Sequence, residues 1–297
     1  MSRRSRQRRV QPERWSPPAL TQADLAALDA AVEQRPRDVG VPVANWNWKA
    51  VRTFVADQLD KEIQRSSCFR ALHRLGLVVK RPKKRLLKAD AAKRAQFVRD
   101  YAQLQREAQA SGALILFVDE AHFYADVDLH GLWVRKGEPA LVDSTSPRYG
   151  EKASYYSGVC LETGTVDVME IVGTSTAETS AAFLRQLRAA HPEPLIVIWD
   201  NGPAHSGDAI RAYLTTPDLR LRLIRLPAYS PDYNADEHVW QWVRAEVTAN
   251  TCFGTTAKVR EHVDAFFRDL GTRAAEVRQR CRTNLQSETE VLAATPM

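Results

Sequence analysis

LILFVD, residues 114–119, is five apolar residues closed by an aspartate, and LIVIWD, residues 195–200, repeats the pattern. A run that is apolar at every position suits a strand covered on both faces, in the middle of a sheet with helices on either side. If the two runs are neighbouring parallel strands, Asp119 and Asp200 leave the same edge of the sheet about 5 Å apart, the spacing between strands.

The segments around these runs supply the rest of such a domain. Strand-like stretches are expected at 129–135 and 154–161, and LETGTVD (161–167) marks a hairpin turn around Gly164. AETSAAFLRQLRAA (177–190) has the spacing of an amphipathic helix. A short helix at 207–214, a strand at 220–226 and the loop PAYSPDY (227–233) lead to a helix over 235–249, with Glu237 in its first turn. Three strands, a helix, a strand, a helix, a strand and a closing helix is the order of a ribonuclease-H-like fold. The expectation is therefore an α/β chain: a ribonuclease-H-like catalytic domain at 111–255, its mixed sheet flanked by helices, and a helical tail at 256–297.

Upstream the texture is all-α. TQADLAALDAAVEQ begins a helix at Thr21 that ends before Pro36, a second is expected over 47–59, and a third over 66–75 with Phe69, Leu72 and Leu75 inward. Helix, short break, helix is the arrangement of a helix-turn-helix, assigned to 19–79. In that reading the third helix offers Ser67, Arg70 and Arg74 to DNA; a plain three-helix packing unit is the alternative. Gly76 stops the helix, and a basic linker with a following helix (80–110) carries Lys80, Arg81, Lys83, Lys84 and Arg85, suited to tracking a phosphate backbone. Residues 1–18, with five arginines in the first nine positions and prolines at the end, read as a disordered basic arm.

Charge divides the chain in the same way. Residues 1–110 hold 24 Lys and Arg against 11 Asp and Glu, while the remainder is acidic in balance. A basic front end fits a polyanion such as double-stranded DNA, and the acidic remainder concentrates carboxylates for another purpose. No apolar stretch approaches a membrane span and no signal-like segment follows the arginines, so a cytoplasmic, nucleoid-associated protein is expected. Cys68, Cys160, Cys252 and Cys281 are far apart and read as reduced thiols.

Two carboxylates on adjacent strands can share a hard cation, and a third acid on the closing helix can complete a two-ion site. Each acid alone also fits a structural role: Asp119 and Asp200 as turn or cap residues, Glu237 as the return partner of a capping box with Asn234.

FVDEAHFYAD (117–126), WDNGPAH (199–205) and LPAYSPDYNADEHVWQWV (226–243) resemble, in order and spacing, the three catalytic motifs of mariner-like DDE transposases, the bacterial insertion sequence six-thirty branch above all. The resemblance implies that Asp119, Asp200 and Glu237 are catalytic metal ligands for two Mg²⁺, with Mn²⁺ as a substitute. It further implies cleavage at transposon terminal inverted repeats, strand transfer into TA-containing target DNA, and a homodimer in the synaptic complex. A ribonuclease-H-like nuclease without strand transfer and a catalytically decayed DNA-binding regulator are the competing expectations. Asn201 and His205 are expected to orient Asp200 or touch substrate phosphate. Glu120, His122 and Tyr124 are read as structural, Tyr229 and Ser230 as shaping the loop, and Trp240 and Val243 as core. Ala235 stands where the family usually has proline. Family members also commonly carry another helix-turn-helix ahead of this one, where this chain has the basic arm.

Overall fold

The computed structural model describes residues 19–80, 89–145 and 151–294. The chain forms two compact units, Met1–Arg85 and Leu86–Met297.

In the first unit, helix α1 (Gln22–Val32) starts with a reciprocal cap: Thr21 Oγ1 accepts from the Asp24 amide, and Asp24 accepts from the Thr21 amide. Lys61 also binds the Asp24 carboxylate. Asn47 caps α2 (Trp48–Leu59), which stops at Asp60 in the left-handed conformation. Helix α3 (Arg65–Arg74) follows. Leu25, Leu28, Val51, Phe54, Val55 and Cys68 make the core of this unit. The inward residues of α3 are Cys68 and Ala71, with Leu72 and Leu75 half-buried, whereas Phe69 packs under Arg65.

In the second unit, α4 (Ala91–Ser111), capped by Asp90, leads through Gly112 into a five-stranded sheet of order β3-β2-β1-β4-β5. β1 is Leu114–Tyr124, β2 Lys152–Cys160, β3 Val166–Glu170, β4 Leu195–Trp199 and β5 Leu221–Arg225. The first three strands form an antiparallel meander, and β4 and β5 join β1 in parallel, so the sheet is mixed as expected. Gly164 makes the β2–β3 turn at φ +78°, and a Cβ there would lie 2.2 Å from the Ala274 carbonyl oxygen.

Two expectations fail here. Residues 129–135 form no strand: Leu129, Leu132, Trp133 and Val134 are exposed, and only an isolated bridge from Asp128 to Ala249 lies nearby. A strand apolar on both faces needs cover on both, which these exposed residues lack, and β2 already occupies that edge of β1. In consequence the third strand of the meander is β3, beyond the hairpin. Nor does β1 end at Asp119; it runs on to Tyr124, because β2 pairs with it along this whole length.

Helix α5 (Ala177–Ala190), with α6 (Asp208–Leu214), covers one face of the sheet, where Phe183, Leu184 and Leu187 meet Leu116, Val118 and Tyr156. The other face holds α4, α7 (Asp236–Val243, extended by a π-turn over 244–248) and α8 (Thr256–Leu270). Helices α9 (Ala274–Arg280) and α10 (Asn284–Ala294) also give Val277 and Leu285 to this core, beside Phe117, Trp240 and Phe267. Residues 256–294 thus pack as part of the second unit.

Candidate active site

The parallel register pairs Phe117 with Ile198. Carried on by two residues, it sets Asp119 opposite Asp200, just past the last residue of β4. Strand alternation sends Asp119 to the α7 face, where Phe117 and Ala121 also point, and Glu120 to the other. Asp119, Asp200 and Glu237 line one cleft of about 440 Å³ together with Asn201, Asn234 and residues 226–231.

Each acid is held differently. Asp200 is the most exposed; its Oδ1 accepts from the Gly202 amide at 2.9 Å and lies 3.3 Å from His205 Nε2. His205 is fully buried and stacks on Trp199 at 4.0 Å, with Nε2 2.9 Å from Glu120 Oε2 and Nδ1 3.2 Å from Ser180 Oγ. Arg225 donates to the carbonyls of Asp200 and His205, and Asn201 Nδ2 donates to Leu226 O at 2.7 Å, which staples the two cleft loops together. Asn201 and His205 are therefore both positioned to fix the Asp200 loop.

Asn234 does not form a capping box with Glu237. Its Nδ2 donates to Val118 O at 3.1 Å and its Oδ1 accepts from the Asp236 amide, tying the start of α7 to β1 beside Asp119. Glu237 is left facing the cleft. Burial, then the proximity of Asp236, Glu237 and Glu120, pushes the Asp119 carboxyl well above the usual carboxylate range. Burial also raises Glu237, partly countered by Arg244 and His238.

Asp236 was not anticipated. It is fully buried, Ser157 Oγ donates to its Oδ2 at 2.5 Å, and its Oδ1 has no partner among the described residues. Burial drives its carboxyl well above the ordinary range. An acid in a helix's first turn reads from sequence as a solvated partner of the helix dipole; only the register, which brings Ser157 opposite Asp119, reveals otherwise.

Among the described residues, no three His, Cys, Asp or Glu side chains draw together tightly enough to hold an ion. The donor chemistry nevertheless fits a hard divalent cation: the cleft offers carboxylate oxygens and no thiolate, and the repulsion that raises Asp119 is what a cation would relieve.

Ser67, Arg70 and Arg74 lie together on α3, where Arg70 Nη2 donates to Ser67 Oγ at 3.0 Å; Arg70, Arg74 and Lys80 are exposed. Arg81, Lys83, Lys84 and Arg85 lie outside the described residues. A second basic group went unforeseen: Lys49, Arg52 and Arg65 gather around the Trp48 ring at 5.8, 5.5 and 5.4 Å. Arginines four and more positions from an aromatic are visible in sequence, but the approach of Arg65 from the next helix is not. Among the described residues no helix is long and apolar enough to cross a membrane.

A mixed sheet of this order, with acids within β1, just past β4 and on α7, defines a ribonuclease-H-like domain of the DDE class. Residues 114–260 match the sequence model described as DDE superfamily endonuclease, and residues 42–101 the one described as winged helix-turn helix. Residues 114–260 are thus a DDE superfamily endonuclease domain, in a chain similar to insertion element IS630 and mariner proteins. It is 25% identical over 228 residues to the insertion element IS630 uncharacterized 39 kDa protein of Shigella sonnei, an overlap of 75% of this chain and 64% of that one. Similar solved structures include the Mos1 transposase paired-end complex with left transposon end, at TM-score 0.63 and 19% identity, covering 94% of this chain and 82% of the other. The mariner Mos1 paired-end complex with Mg matches at TM-score 0.62 and 19% identity, covering 95% and 82%.

Proposed function

We propose that this chain is a transposase that cuts DNA at the ends of an insertion element and transfers the freed 3′ ends into target DNA. The observation that carries the reading is the meeting of Asp119, Asp200 and Glu237, from two strands and a helix, in one cleft. Two Mg²⁺ ions, or Mn²⁺ in their place, would activate water for cleavage and stabilise the departing 3′ oxygen; the Mos1 complexes solved with Mg and with Mn support this choice of metal. Asp119 and Asp200 present oxygens from adjacent strands, and Glu237 closes the third side. Gly202 and His205 hold the Asp200 carboxylate in one orientation, while Asn234 holds α7 against β1. No covalent protein intermediate is needed, since the acids serve as ligands.

The winged helix-turn-helix match supports DNA contact through α3, with Ser67, Arg70 and Arg74 toward bases or phosphates. Lys80, Arg81, Lys83, Lys84 and Arg85 belong to the same proposal as backbone contacts. Terminal inverted repeats, a TA-containing target, a homodimer in the synaptic complex and action on bacterial cytoplasmic DNA complete it.

The test is cleavage of the genomic DNA flanking the gene in Mg²⁺. Asp119→Asn is expected to abolish cutting while gel-shift affinity for the same duplex persists; undiminished cutting by that variant overturns the assignment. Strand transfer from pre-cut ends distinguishes a transposase from a nuclease that cuts without joining.

A further inference from the structure

Tyr229 is the one aromatic residue among the described non-glycine positions with positive φ, at +58°. Bulky side chains rarely occupy the left-handed region, where Cβ crowds the backbone, and a free loop would relax out of it. This loop is pinned at both ends. Asn201 holds Leu226 O, Arg94 binds Asp232 through two hydrogen bonds of 2.9 and 2.7 Å, and Tyr233 OH donates to Glu288. The consequence is a large ring, 50% exposed, fixed in the wall of the cleft that Asp119, Asp200 and Glu237 also line. Next to it Ser230, 3% exposed, has a hydroxyl with no partner among the described residues. A strained backbone, an exposed ring and an unmet hydroxyl in one wall mark it as a surface shaped for a ligand.

The geometry points to Tyr229 as a stacking platform for the nucleobase beside the scissile phosphate, a substrate-positioning role that rests on the DNA-cutting reading of this site. Every base has a π-face, so an aromatic wall beside an acidic floor can seat a strand end of any sequence. The contact also fixes the phosphate over the carboxylates, which side-chain oxygens alone cannot do for a flexible strand.

The probe is the duplex of genomic sequence flanking the gene, used with the full chain, either intact or carrying an abasic nucleotide beside the cleavage position. Tyr229→Gly removes the ring and the backbone strain together, so it should fold as well as wild type; Tyr229→Asn, also tolerant of this conformation, is the second variant. Loss of stacking is expected to slow cutting about ten-fold or more, and Tyr229→Phe, which keeps the ring, should cut faster than either ring-free variant. The abasic duplex should slow wild type to a similar degree and leave Tyr229→Gly no slower. Wild-type rates in both ring-free variants, or effects of variant and abasic site that multiply, overturn the proposal and leave the DNA-cutting reading intact. If wild type does not cut at all, that reading falls instead. Affinity for the two duplexes then decides the platform: overlapping effects support it, and independent effects overturn it.

Discussion

Removing the hydroxyl of Ser157 probes the buried joint beneath the cleft. Ser157 in β2 stands opposite Asp119 in β1, and its Oγ gives Asp236 the only side-chain hydrogen bond that carboxyl receives among the described residues. Both residues are fully buried, and Asp236 Oδ1 has no partner among the described residues. Leaving a buried carboxyl oxygen without its donor costs about 1–3 kcal/mol. For a unit of this size each kcal/mol moves the melting point by about 2–4 °C, so Ser157→Ala should melt roughly 2–12 °C below wild type. Repeating the substitution in an Asp236→Leu background leaves no carboxyl unmet, so the loss should shrink to about 1 kcal/mol or less. Thermal melts by circular dichroism on the four proteins, in EDTA at neutral pH, close the cycle. A Ser157→Ala curve superimposable on wild type, or the same loss in both backgrounds, refutes the account of Asp236 as a buried carboxyl dependent on this donor.

Metal binding should register in melts run without EDTA. Mg²⁺ that binds only the folded acids raises the wild-type melting point as its concentration rises, and Asp119→Asn should show little or no rise; equal rises in both proteins place the ion elsewhere. In the first unit, hydrogen bonds from Lys61 and Thr21 lower the Asp24 carboxyl to about 2 from its ordinary 3.8. A depressed acid supports the fold above its unfolded pKa and loses that support as pH falls through the folded value, so the window is about pH 4 down to 2. A carbon-detected NMR titration should find Asp24 raised in Lys61→Met but still below its ordinary value, since Thr21 remains; a midpoint unchanged by that substitution refutes the assignment to Lys61.

Much of this architecture is visible in the chain because its signals are local. LIVIW and LILFV are apolar throughout since both faces of β4 and β1 are covered, and Thr21 and Asn47 mark helix starts through their own side chains. Asp119, Asp200 and Glu237 are legible for a different reason: the motifs around them carry the specificity that no single acid has. What sequence hides is decided between elements. Trp133 and its neighbours look strand-like until β2 takes the edge they would need. Glu120 points away from Asp119, as alternation requires, yet it meets His205 from the neighbouring strand's loop. Asp236 differs from Glu237 by one step around a helix, which is enough to bury one and leave the other facing the cleft.

The packing of α9 and α10 bears on when the chain can act. Leu285 is fully buried in the core that holds Trp240, and Asn284 and Glu288 reach Asp232 and Tyr233 in the loop leading to Glu237. During synthesis, units nearer the N-terminus fold first, and all three acids leave the ribosome before these helices do. A nascent chain therefore has its helix-turn-helix, and the whole acidic set, before the clamp that sets the last cleft loop. The loop leading to Glu237 is therefore set only after α9 and α10 have been made.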